Sequence, residues 1–158
     1  MSACGENNQS AGEWLKLGHR RLAELELGDA SLAGLPARVL GASDFTFETI
    51  KRDPQLLEWL LNADWLTRVY SREDYWHEVG QAIELCDDEA ALMQVVRQLR
   101  KRHMVRVAWR DISHLADFDT IVAETSHLAD ALISHALEKL HSWAVTRRGT
   151  PMDASGKE

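Results

Sequence analysis

Two carboxylates stand two residues apart at Asp117-Phe118-Asp119. On an extended strand that spacing projects both from one face, where they could share a divalent cation. Here the pair falls where a helix is expected to begin, with no Gly-Ser before it and no apolar strand leading in. Capping is the role this context favours. Asp87, Asp88 and Glu89 meet the same objection, since acids gather at the positive end of a helix. Seven histidines (His19, His77, His103, His114, His127, His135 and His141) invite a zinc reading. None pair as His-x-x-x-His, so helix-borne ligation lacks its geometry. The chain has no Gly-x-Gly-x-x-Gly, no Gly-Lys-Ser or Gly-Lys-Thr, and no Gly-x-Ser-x-Gly elbow. These residues do not assemble an active site, and no metal ligand is assigned.

The strongest charge feature is the stretch Arg97 to Arg110, with six Lys or Arg residues and no Asp or Glu. On a helix Arg102, Arg106 and Arg110 recur at i, i+4 and i+8 and share one side. Leu99, His103 and Val107 share another, which predicts a charged side and a core side. The charged side reads either as a solvated face or as charge held for a phosphate-bearing ligand, a neighbouring domain or carboxylates elsewhere in the fold. Asp111, Asp130 and the acidic first half supply such carboxylates. Six tryptophans (Trp14, Trp59, Trp65, Trp76, Trp109 and Trp143) are numerous for the length, and core packing is the usual role. Trp109 is placed to pack beneath or stack upon a guanidinium.

These side chains need a scaffold, and 158 residues with 45% hydrophobic content suffice for one soluble core. The net charge of −7 hides an asymmetry, with residues 1–90 at −9 and residues 91–158 at +2. That acidic balance argues against nucleic acid as a partner. Only Cys4 and Cys86 are present, with no C-x-x-C, so neither a disulfide framework nor a zinc site is expected. No cationic start leads into an apolar run, and no stretch of about 18 apolar residues occurs. A cytoplasmic protein without membrane contact is the expectation.

Residues 1–11 are small and polar and are expected to be disordered. The helical region is expected over 12–146. Its first helix follows Trp14, Leu17, Gly18, Arg21, Leu22 and Leu25, until Gly28 and Asp29 interrupt it. Pro36 and Gly41 frame a short segment with Val39 and Leu40. Ser43 caps a helix carrying Phe45, Phe47 and Ile50; Asp53-Pro54 opens another with Leu56, Leu57, Leu60 and Leu61. Ser71 with Asp74 resembles a capping box for a helix whose Trp76, Val79, Ile83 and Cys86 face inward. A long helix then runs through Leu92 to Val107. Asp117 or Asp119 starts the last, with Leu128, Leu132, Ala136 and Leu140 on one side and Ala129, Ile133 and Leu137 beside it. Arg147, Arg148, Gly149 and Pro151 end it. No run keeps the period of two of a half-buried strand, so the fold class is all-α with about six helices. Residues 147–158 read as a linker.

Leu-Arg-Lys-Arg-His-Met-Val-Arg-Val-Ala-Trp-Arg-Asp-Ile (99–112), Thr120, Thr-Ser-His-Leu-Ala-Asp-Ala-Leu-Ile (125–133) and Ala136-Leu137 occur in that order. Together they resemble the N-terminal helical region of bifunctional glutamine synthetase adenylyltransferase/adenylyl-removing enzymes. Ala42-Ser43-Asp44-Phe45, Asp53-Pro54-Gln55-Leu56-Leu57, Arg148-Gly149-Thr150-Pro151 and Ser155-Gly156 extend the resemblance over about residues 36–156. It implies a nucleotidyltransferase that uses ATP and magnesium, adenylylates a tyrosine of glutamine synthetase, removes the group by phosphorolysis, and answers to glutamine and a PII signal protein. The removing half is the N-terminal one. Its polymerase-β-like fold is marked by a Gly-rich strand and turn followed by Ser-Asp-x-Asp, which is expected past Glu158. No catalytic residue of the family maps onto a position here, so this chain alone is expected to lack catalysis. Arg102, Arg106 and Arg110 remain the candidates for contacting a phosphate or that further domain. The alternative is a free-standing helical interaction module.

Overall fold

The computed structural model describes residues 6–25, 35–61, 63–152 and 156. Among them are seven α-helices and no strand: α1 (Glu6–Glu24), α2 (Leu35–Ala42), α3 (Asp44–Arg52), α4 (Gln55–Leu61), α5 (Arg72–Glu84), α6 (Glu89–Ile112) and α7 (Phe118–Arg148). A single 3₁₀ turn, Ala63–Trp65, follows α4. The all-α class is thus the observed one. The helix beyond the expected six is α2, where Pro36 stands in the first turn, a position that needs no amide hydrogen. Helix α1 begins at Glu6, inside the stretch 1–11 expected to be disordered. Cys4, Gly28, Asp29 and Ser155 lie outside the described residues.

Local capping sets most of the boundaries. The Ser43 hydroxyl accepts from the amide of Thr46 at 3.1 Å and starts α3. Ser71 and Asp74 exchange side-chain and backbone bonds at 3.1 and 2.9 Å, completing a capping box for α5. Asp88 accepts from the Ala91 amide at 2.8 Å ahead of α6, and Asp117 from the Thr120 amide at 2.8 Å ahead of α7. Hydrogen bonding by the Thr120 side chain, together with that amide bond, favours the ionised carboxyl and holds Asp117 below the ordinary aspartate range.

The chain divides into two compact units, Met1–Val69 with Arg102–Val122, and Tyr70–Lys101 with Ala123–Glu158. In the first, Val39 and Leu40 of α2, Phe47 and Ile50 of α3, Leu56, Leu57 and Leu60 of α4, and Val105 and Trp109 of α6 form one apolar cluster. Two glycines set the approach of α1 to α2. A Cβ at Gly18 would lie 1.6 Å from the Ala37 carbonyl oxygen, and one at Gly41 would lie 2.0 Å from that of Trp14. Gly41, expected as a breaker, therefore sits inside α2 because no larger residue fits the crossing. Trp14 and Phe45, expected on apolar faces, are about half exposed.

In the second unit Tyr75, Val79 and Ile83 are buried along α5 and Cys86 just past its end, with Leu92 and Leu99 of α6 and Leu128, Ala131 and Leu132 of α7. Trp76 was expected to face inward and does not. Tyr75 takes the inward position one residue earlier, its ring 4.9 Å from that of Tyr70, and Trp76 is left partly exposed beside the His135 ring at 4.4 Å. Cys86 is a free, buried thiol.

Candidate functional site

The cationic stretch of α6 is helical as expected, and its core side is as read: Leu99, His103 and Val107 are all buried. The other side is where sequence and structure part. Arg106 is 0% exposed and Arg110 1%, so neither guanidinium is solvated or open to a dissolved phosphate. A buried guanidinium must find acceptors, because desolvation without them is prohibitive. Arg106 donates from Nε to the Trp65 carbonyl at 2.6 Å and from Nη2 to the Arg68 carbonyl. Arg110 donates from Nε to the Leu66 carbonyl at 3.0 Å. These acceptors lie in the 3₁₀ turn and the irregular backbone just after it. There no helical amide is in register to satisfy them, and the five donors of an arginine can.

Arg102, one turn earlier and partly exposed, lies over the Trp59 ring at 4.8 Å. Trp59 in turn stacks on Trp65 at 5.1 Å and meets the His103 ring edge-on at 6.0 Å. The guanidinium–indole contact foreseen for Trp109 thus falls on Trp59, while Trp109 is wholly buried in the apolar cluster. Three arginines at one per turn thus fasten Trp59 and the backbone of residues 65–68 to α6. Sequence reasoning singled out the arginines and missed their partners. Trp59 and Trp65 were visible only as part of a high tryptophan count.

Among the described residues no group of three or more His, Cys, Asp and Glu is placed to hold a metal ion. Asp117 is committed to its cap. A cavity of about 480 Å³ beside Asp87, Asp88 and Glu89 is also lined by Arg147, which pairs with Glu89 at 2.8 Å. Glu124, 1% exposed and not anticipated, accepts from the Tyr70 amide at 3.1 Å. No helix of the described residues is long and apolar enough to cross a membrane.

With this geometry in place, comparison with known proteins is informative. A family profile described as glutamate-ammonia ligase adenylyltransferase matches residues 35–158. A bifunctional glutamine synthetase adenylyltransferase/adenylyl-removing enzyme from Nitrosococcus oceani is 38% identical over 120 residues, covering 75% of this chain and 12% of that protein. Proteins of the same description from Thioalkalivibrio sulfidiphilus and Psychromonas ingrahamii are 36% and 34% identical over 120 and 119 residues. These cover 76% and 75% of this chain. The chain spans about an eighth of the length of the curated relatives it matches.

Proposed function

The chain belongs to the glutamate-ammonia ligase adenylyltransferase family, and from that membership we propose that it serves the adenylylation and deadenylylation of glutamine synthetase. Its place in this reading is a helical region of the adenylyl-removing half, acting in the cytoplasm to regulate nitrogen assimilation. The observation that carries it is the match over residues 35–158, with relatives at 34–38% identity that are named for both activities.

The chain's own contribution is to support and dock rather than to catalyse. Two-metal nucleotidyl chemistry requires carboxylates that hold both ions and align an in-line attack. Among the described residues the acids do not fit that requirement, since the Asp-x-Asp pair opens a helix and Asp117 is spent on the Thr120 amide. No magnesium or ATP contact is therefore assigned to any residue here. Arg102, Arg106 and Arg110 act by fixing Trp59 and the backbone of residues 65–68, a role supported by the burial of Arg106 and Arg110 and by the carbonyl and indole partners of the three. Glutamine synthetase is the first partner in this reading and a PII signal protein the second.

Isothermal titration of the purified chain against glutamine synthetase, adenylylated and unmodified, tests the reading, with ATP plus magnesium and a PII protein titrated separately. Heat from the synthetase without heat from nucleotide is expected. Tight nucleotide binding would contradict the supporting role. Silence toward both synthetase forms and PII would remove docking and leave only support of a catalytic core.

A further inference from the structure

Helix α7 is apolar on two opposite sides. Leu128, Ala131 and Leu132 face inward and are buried. On the other side Ala129, Ile133, Leu137, Leu140 and Ala144 recur at intervals of four, four, three and four residues. Those intervals hold them within about 80° of one another around the helix. Ile133 is 67% exposed, Leu137 65% and Leu140 41%, and both alanines are exposed as well. Isolated exposed leucines are ordinary on a protein surface; a continuous stripe along four turns marks an interaction surface.

The charges beside the stripe indicate what covers it. Asp130 near one end and Arg148 near the other, both exposed, lie on the same flank. They are 18 residues apart, or about 27 Å along the axis. When two such helices pack antiparallel about a twofold axis, each flank meets the same flank reversed, so Asp130 of one copy comes beside Arg148 of the other. The axis then passes midway between them, near residue 139, and Leu137 and Leu140 straddle it. The three large residues lie at the centre of the stripe with an alanine at either end, and the opposed dipoles of antiparallel helices add to the fit. A self-complementary pattern of this kind is what an isologous dimer needs. We propose that the outward face of α7 pairs antiparallel with the same face of a second copy of this chain, joined by Ile133, Leu137 and Leu140 and aligned by two Asp130–Arg148 ion pairs.

Sedimentation equilibrium of the full chain, from micromolar to sub-millimolar concentration, tests the proposal. The mass should rise from one chain to two and stop there. Leu137→Glu should weaken association by roughly tenfold or more, with unchanged circular dichroism because the side chain is largely exposed. Ile133→Glu repeats the test should that variant lose helicity. Asp130→Arg should weaken pairing about fivefold, and the double exchange Asp130→Arg with Arg148→Asp should restore it. A concentration-independent monomer overturns the proposal, as does growth beyond a dimer or association indifferent to Leu137→Glu. Association that loses strength with Leu137→Glu but ignores Asp130→Arg overturns the antiparallel alignment. A chain that stays monomeric yet binds glutamine synthetase through Leu137 gives this face to the synthetase instead.

Discussion

Arg106→Met removes a guanidinium whose acceptors include the backbone carbonyls of Trp65 and Arg68. Replacing a buried ion pair by apolar residues is often neutral when both partners are replaced together. Here these acceptors are main chain and stay behind, each losing the donor that Arg106 supplies. Each unsatisfied carbonyl costs about 1–3 kcal/mol, and relief from burying the charge offsets part of that total. The expected loss is about 2–4 kcal/mol, confined to the unit formed by residues 1–69 and 102–122. Methionine fills most of the arginine volume, so this loss is not a cavity effect, whereas Arg106→Ala adds one. Urea unfolding followed by tryptophan fluorescence suits the test, because Trp59, Trp65 and Trp109 all lie in that unit. A midpoint lowered by about 1 M or more is expected at an ordinary m-value. The exposed Arg97 and Arg100, on the same helix, should tolerate methionine within about 0.5 kcal/mol. Should Arg106→Met fall within that margin too, the arginines would not be holding the backbone of residues 65–68 and the reasoning fails.

Ser71→Ala breaks the capping box of α5 and should cost about 1 kcal/mol in thermal or urea unfolding. Gly18→Ala and Gly12→Ala should have opposite signs. Both gain helix propensity worth up to about 1 kcal/mol. The first drives a methyl into the Ala37 carbonyl and is a net loss of about 1–3 kcal/mol, while the second meets nothing within 4 Å and stabilises. The Asp117 carboxyl, lowered by its Thr120 hydrogen bond, stabilises the start of α7 fully above the unfolded aspartate pKa. That support disappears as pH falls through the lower folded value. In an NMR titration the Thr120 amide should shift with a midpoint below the ordinary aspartate range, and Asp117→Asn should abolish the step.

What the sequence made legible was local. The caps at Ser43, Ser71, Asp88 and Asp117 each join a side chain to an amide three residues on, and such short-range chemistry can be read from neighbours alone. The length of α6 and the burial of Leu99, His103 and Val107 followed from periodicity. The fate of the arginines did not, because spacing says which residues share a side and not whether that side meets water. Their acceptors lie 38 to 44 residues upstream, in a segment with no pattern of its own. Gly41 misled for a related reason: a glycine that breaks a helix and one that admits a crossing helix look the same until the Trp14 carbonyl is in view. Tyr75 and Trp76 both fit the spacing of Val79 and Ile83, and only the position of the Tyr70 ring separates them.

The most direct test of the account is a chimera. The 120 matching residues of the Nitrosococcus oceani relative are replaced by those of this chain, and transfer of the adenylyl group to glutamine synthetase and its removal are both measured. A folded chimera that retains both activities is the predicted result, and one with native helicity that keeps removal but has lost transfer would contradict the assignment of this chain to the adenylyl-removing half.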